Sequence, residues 1–229
     1  LSGVKEKSLF EHVIFSKTAG INKGSNPKGI DRSGWTTTGG VTVLESLVTF
    51  SNCRFEHSFS EDALNVISSN FKIIDCFFEN LPSDGFDGDF VSGIVDNCFF
   101  SNIDGDGIDF SGSRVKVSGC QFINITDKAV SVGESSDVDL AFIKIRDVGF
   151  GIVSKDSSKV KVTSSNIKNA SIAGISAYQK KEVFGPAKIS CESVSISDSK
   201  QNFLIQSESY GELDGNQIKE ESFQTSKYY

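Results

Sequence analysis

The sequence predicts an all-β chain, folded as a single right-handed parallel β-helix of about eight coils of roughly 22 residues. Three observations lead there. The phrase Cys-x-Phe recurs at Cys53-Arg54-Phe55, Cys76-Phe77-Phe78, Cys98-Phe99-Phe100 and Cys120-Gln121-Phe122, in steps of 23, 22 and 22 residues. Other columns keep that step: His57, Asn80, Asn102, Asn124, Asp147 and Asn169, and the apolar series Leu64, Phe86, Ile108, Val130, Val153 and Ile175. Short alternations such as Val115-Lys116-Val117 and Val160-Lys161-Val162 mark half-buried strands, and no segment sustains a period of 3.6. A unit this short cannot bury its own apolar face. Stacked on copies of itself it can, and like residues then sit on like at the ~4.8 Å strand spacing. A leucine-rich repeat overlaps this length, but its Leu-x-x-Leu-x-Leu pattern is absent.

The elements follow in order. Residues 1–18 read as an entry coil, with Val13-Ile14-Phe15 as a weak first copy of the repeat. Residues 19–40 break the period and are expected to protrude as a loop. Regular coils run from about 41 to 178, the register passing through Ile143-Lys144-Ile145 and Ser165-Asn166-Ile167. An insertion, Gln179 to Pro186, precedes a strand around Ile189. The polar end, 207–229, is expected to cap the stack, because a bare end would expose strand edges. The whole chain, 1–229, reads as one domain.

Composition narrows the function classes. Hydrophobic residues are 38%, with 19 Phe, 21 Gly and only 3 Pro, which suits many turns made without proline. A net charge of -7 argues against nonspecific nucleic-acid or anionic-membrane binding, since both require basic surface. No apolar run is long enough to cross a bilayer, so membrane insertion is not expected. There is no signal-like start, and the first residue is Leu, so the expectation is a piece of a larger multidomain protein.

Several phrases carry a resemblance: Glu61-Asp62-Ala63-Leu64-Asn65, Ser83-Asp84-Gly85-Phe86-Asp87, Gly105-Asp106-Gly107-Ile108-Asp109-Phe110-Ser111-Gly112, Asp127-Lys128-Ala129-Val130-Ser131-Val132-Gly133-Glu134 and Ala177-Tyr178-Gln179-Lys180-Lys181. Over residues 41–206 the chain resembles the β-helix repeats of the pectate-lyase-like superfamily. More closely, it is similar to bacterial β-helix domains often found in larger extracytoplasmic proteins, some beside spore-coat-H-type kinase domains. The resemblance implies the fold and a secreted or cell-surface, bacterial-like setting. It leaves activity open, since that superfamily includes lyases, hydrolases, epimerases and plain binding or adhesive domains. The Gly-His-Gly and Arg-Ile-Lys phrases of polygalacturonase-like members are missing, and neither Arg114 nor Arg146 falls in a lyase phrase.

The chemistry-bearing residues are the repeated acids. One column reads Asp62, Asp84, Asp106, Lys128, and a second reads Asn65, Asp87, Asp109, Ser131, Ser154, Ser176. Two residues on come Asp89, Ser111, Gly133, Asp156 and Tyr178. Carboxylates one coil apart repel, which raises a pKa or recruits a cation. One reading makes Asp84, Asp87, Asp106 and Asp109 ligands for Ca²⁺, a candidate cofactor with a preference for oxygen donors. Another makes Asp87, Asp109 and Lys128 an acid, a base and a charge neutraliser acting on a glycosidic bond. Asp89, Lys155, Tyr178 and Trp35 would then bind substrate. A third leaves Asp84 and Asp106 as turn residues, their side chains bonded to backbone. The cysteines show no metal-binding spacing and read as a buried thiol ladder, with Cys191 off the column.

The functional expectation is an extracytoplasmic module that binds an extended polysaccharide or cell-surface glycan along the acidic outward strand face. The alternatives are a polysaccharide lyase, epimerase or hydrolase using the stacked Asp and Lys, and a structural or adhesive stalk.

Overall fold

A computed structural model describes residues 1–19, 30–32 and 35–228, with the side chains of 30–36 and of 228 outside the description. The chain is a parallel β-solenoid of about eight turns at the expected spacing. Three ladders of parallel strands form its faces. The first stacks Ser8–Glu11, Leu47–Ser51, Asn70–Ile74, Ser92–Asp96, Arg114–Ser118, Asp137–Ala141, Lys159–Thr163, Lys188–Glu192 and Tyr210–Leu213. The second begins with Ile14–Ser16, Arg54–Glu56, Phe77–Leu81 and Phe99–Ile103. The third begins with Gly39–Leu44, Asp62–Ile67, Asp84–Asp89 and Ile108–Ser111. Long strands Gln121–Gly133, Lys144–Lys155 and Asn166–Tyr178 then run through the second and third faces without a break.

Like does sit on like inside. The rings of Phe55, Phe78, Phe100 and Phe122 stack at 4.7 Å centroid spacing, within 9° of parallel. Each such pair adds about 0.5–1.5 kcal/mol beyond its buried area. Bend geometry repeats as well. His57, Asn80, Asn102, Asn124, Asp147 and Asn169 all have φ between 52° and 58°, the left-handed region that Asn tolerates best. Their amides join coil to coil, as in Asn102 Nδ2 to Asn80 Oδ1 at 3.1 Å and Asn124 Nδ2 to Asn102 Oδ1 at 2.9 Å.

The cysteines form the expected buried free-thiol ladder. The backbone N–H of Cys53 points at Cys76 Sγ, that of Cys76 at Cys98 Sγ and that of Cys98 at Cys120 Sγ, each at 3.4 Å. The thiols thus occupy buried bend amides that would otherwise lack an acceptor. At another bend serine does the same work: Ser46 N donates to Ser69 Oγ, Val91 N to Ser113 Oγ, Ser113 N to Ser136 Oγ and Ser136 N to Ser158 Oγ.

Three expected column members are corrected. A register shift within the long strands places Ile152, not Val153, in line with Val130 and Ile175, and Val153, not Ser154, in line with Ser131 and Ser176. Ser154 is fully buried, its hydroxyl 2.9 Å from the Lys188 carbonyl and 3.2 Å from that of Ser158, either of which can accept its one proton. Lys155, not Asp156, stands beside Tyr178.

Within the 19–40 segment, Ile30–Arg32 pairs antiparallel with Trp35–Thr37, and the first regular strand already begins at Gly39. At the other end Tyr210–Leu213 pairs antiparallel with Asn216–Gln217. The chain then returns to the edge of Phe203–Ile205, where Glu221 N donates to Ile205 O and Ser207 N to Glu221 O.

Candidate functional site

The outward side of the third face carries a groove of about 320 Å³. Strands Asp62–Ile67, Asp84–Asp89 and Ile108–Ser111 form its floor, with Asn65, Asp87 and Asp109 on successive rungs and Asp89 beside Ser111. Period-2 alternation places these residues outward, because their neighbours Leu64, Phe86, Ile108, Val66 and Phe110 fill the core. Thr38, Glu61, Asp62 and Asp84 wall one end, and Glu134, Lys155, Asp156, Lys180 and Lys181 wall the other. Ile67 is the one large apolar side chain among the described lining residues.

The hydrogen bonds are specific. Asn65 Nδ2 donates to Asp87 Oδ2 at 2.8 Å and to Asp89 Oδ2 at 3.3 Å, drawing the two carboxyls together. Thr38 Oγ1 donates to Asp62. Lys155 Nζ lies 3.5 Å from Asp109 Oδ2, and Lys181 pairs with Glu134. Asp156 Oδ1 accepts the backbone N–H of Lys180 at 2.6 Å and of Lys181 at 2.7 Å, which ties the 179–186 insertion to the groove's end. Asn65 Oδ1 and Asp109 Oδ1 are buried acceptors without a donor among the described residues.

Electrostatics follow from crowding acids in a partly dry groove. Burial pushes Asp62 up to about 7, with Asp84, Glu61 and Asp89 adding repulsion and the Thr38 hydroxyl opposing. Burial also pushes Asp84 up to about 6, against a backbone hydrogen bond from Asp106. Asp87 stands well above the ordinary carboxyl range through burial and then the neighbouring charges of Asp62, Asp89 and Asp109. Asp89 is raised for the same two reasons, and its bond from Asn65 pulls the other way. Lys180 is lowered by burial and by Lys155 and Lys128. Asp62 and Asp84, raised toward neutral pH, and the ammonium groups at the other end let one groove both donate and accept hydrogen bonds.

Of the residues singled out from sequence, Asp84, Asp87, Asp89, Asp109 and Lys155 come together in this groove. Asp106 and Lys128 do not line it. Lys128, its side chain 3% exposed, places Nζ 3.3 Å from Asp106 Oδ1 and 2.5 Å from Asp127 Oδ2. Burial raises Asp106 to about 7 against the pull of Lys128. Lys155, not Lys128, is therefore the ammonium beside Asp109. The four aspartates read as calcium ligands do not form one ligand set, because Asp106 turns to Lys128. Among the described residues no three His, Cys, Asp or Glu side chains converge as a metal centre. Tyr178 holds its outward column but is fully buried, edge-on to Phe223 at 6.2 Å. The side chain of Trp35 lies outside the described residues.

The recurring Asp-Gly phrase has a physical account. Asp84 Oδ1 accepts the backbone N–H of Asp106 at 2.7 Å, and Asp106 Oδ1 that of Lys128 at 3.0 Å, one coil on in each case. A Cβ on Gly105 would fall 2.0 Å from Asp84 Oδ1, so glycine there admits the carboxyl. A Cβ on Gly85 would meet Gly107 O at 2.6 Å, and one on Gly107 would meet Ala129 O at the same distance. The first Asp of each phrase ties coils together, and the second faces the groove.

The model of the right-handed β-helix region matches residues 33–185, and the chain belongs to that family. No curated protein matches. Among solved structures it is similar to the catalytic domain of a GH87 α-1,3-glucanase in complex with nigerose, at 14% identity and TM-score 0.33, covering 81% of this chain and 51% of that one. It is also similar to a pectate lyase from Paenibacillus sp. 0602, at 11% identity and TM-score 0.37, covering 76% and 63%. The chain thus spans about half of the glucanase domain and under two thirds of the lyase.

Proposed function

We propose that the protein is an extracytoplasmic carbohydrate-interacting module that holds an extended polysaccharide along the outward side of its third face. The supporting observation is the groove itself. Successive coils present carboxyl, amide, hydroxyl and ammonium groups from a rigid floor, and such groups hydrogen-bond the hydroxyls of a sugar chain running across the rungs. A flat outward face would have favoured a plain stalk, with no small-molecule site.

The crowded acids Asp62, Asp87 and Asp89 favour a second reading, an enzyme acting on the same glycan. Asp62, raised to about 7, keeps a proton near neutral pH as a general acid must, and Asp87 and Asp89 are raised in the same direction. Asp109, beside Lys155, is then the partner carboxylate, and Lys128 has no access to the substrate.

The test uses tetragalacturonic acid and a neutral glucotetraose. Saturation-transfer NMR reports contact, and assays for new reducing or unsaturated ends report cleavage. Contact without new ends supports the binding module. New ends support the enzyme. Neither would overturn both readings and leave the stalk.

A further inference from the structure

We propose that Phe90 is the ring-stacking platform of the groove, a flat apolar shelf on which one sugar ring of the bound glycan rests through its C–H face. This rests on the glycan reading above and deepens it by naming the missing apolar contact.

Phe90 is 61% exposed and has φ 53°, a backbone region in which a bulky side chain is an outlier. Its column is the bend that closes the groove's floor strands. Glu45, Ser68, Phe90, Gly112 and Glu134 follow one another there, and all have positive φ. The backbone ladder confirms the alignment: Ser68 N donates to Asp89 O, Phe90 N to Ser111 O and Gly112 N to Gly133 O. Apart from Phe90, the members are acidic, Ser or Gly, types that suit a solvated bend. Neither burial nor turn chemistry accounts for an aromatic at this position.

The ring is nonetheless seated. A Cβ on Gly112 would lie 2.6 Å from Phe90 Cδ1 and 2.7 Å from Cε1, so the ring rests on the bare backbone of Gly112, where any side chain would displace it. Asp89 directly precedes Phe90, Ser111 directly precedes Gly112, and both line the groove. The shelf therefore borders the floor at the end walled by Glu134, Lys155 and Lys181. Polar groups fix the orientation of a sugar, but its apolar C–H face gains most from an aromatic surface, and the described lining supplies none.

Phe142 provides an internal control. It is 65% exposed with φ 58°, but it lies at the bend after Asp137–Ala141 on the first face, away from the groove. Phe90→Ala and Phe142→Ala remove equal aromatic area from equally strained, exposed bends.

The experiment titrates tetragalacturonic acid and glucotetraose into the parent, Phe90→Ala, Phe90→Tyr and Phe142→Ala by calorimetry. For whichever sugar binds the parent, Phe90→Ala is expected to weaken binding about tenfold or more. Phe90→Tyr should restore it, and Phe142→Ala should leave it unchanged. Equal affinity in Phe90→Ala and the parent overturns the platform and leaves the groove reading standing. Failure of both sugars to bind the parent overturns the groove reading and the platform together. Should Phe90→Ala not fold, Phe90→Trp serves instead, its emission read as the difference from the parent, in which Trp35 is the one tryptophan. That difference should shift on sugar binding, and an unmoved spectrum at saturation would overturn the platform.

Discussion

Two stretches of the same outward face behave in opposite ways. On the rungs of Asn65, Asp87 and Asp109 the face is an open polar groove. A few coils later the same columns hold Val153, Ser176 and Tyr178, all fully buried. There Phe150, Val153, Ala173, Tyr178 and Leu204 make a separate apolar cluster, with Phe223 of the returning C-terminal segment packed on it. Parallel pairing continues through both places, although the later strands are longer and carry a register shift. The difference lies in the outward side chains: carboxyls keep water and stay open, while apolar groups recruit a covering segment. One stretch of the face is thus left open and polar while the next is covered by the chain's own C-terminal segment.

The largest expected effect is on the covered side. Tyr178→Ala removes a fully buried aromatic from that small cluster and should cost about 3–5 kcal/mol, read as a loss in thermal or urea unfolding. A loss below about 1 kcal/mol would mean that the C-terminal segment does not cover Tyr178.

The open side should respond to pH with a definite sign. Asp62 and Asp84 are raised to about 7 and about 6 from 3.8, so the folded state holds protons that the unfolded state releases. Their stabilising effect is fully present below about pH 4 and is lost as the pH rises through 6 to 7. The melting temperature should therefore climb on acidification from pH 8 to pH 5, with every tenfold gain in proton affinity on folding worth about 1.4 kcal/mol before solvent screening. A melting temperature that falls over that range contradicts the crowded-acid account.

A smaller effect comes from Asp87→Asn with Asp89→Asn. Neutral amides relieve the repulsion, so the double variant should gain on the order of 1 kcal/mol at pH 8 and show a flatter pH dependence. Equal or lower stability at pH 8 would mean that the two carboxyls do not strain the groove. The smallest effect concerns calcium. Because the acids do not converge as a metal centre, millimolar Ca²⁺ should leave the melting temperature unmoved, and a saturable upward shift would restore the metal reading.

Much of the fold is legible in the sequence because stacking turns position into repetition. The Phe rungs, the Asn bends and the Cys ladder are uncommon residue types repeated at one step, so they stand out. The serine ladder through Ser69, Ser113, Ser136 and Ser158 does not stand out: serine is common, and Val91 interrupts the series. Val153 is misplaced because Ile152 and Val153 are both apolar, so a one-residue register shift leaves that column apolar either way, and Ser154 is displaced with it. The Asp84, Asp87, Asp89, Asp109 and Lys155 grouping is visible as columns. The turning of Lys128 to Asp106 and Asp127 depends on side-chain direction, which a column does not encode. The burial of Tyr178 depends on Phe223, 45 residues away and outside the repeat. Phe90 stays hidden because nothing in its phrase marks it as exposed.

The central claim is that the open stretch of the third face holds a glycan through its carboxyls. The direct measurement is calorimetric titration of tetragalacturonic acid and glucotetraose into the parent and into the Asp87→Asn/Asp89→Asn variant, with both proteins shown to be folded by their melting curves. The account predicts saturable heat for at least one sugar with the parent, weakened about tenfold or more in the variant. Equal binding by the two proteins, or none by the parent, would contradict it.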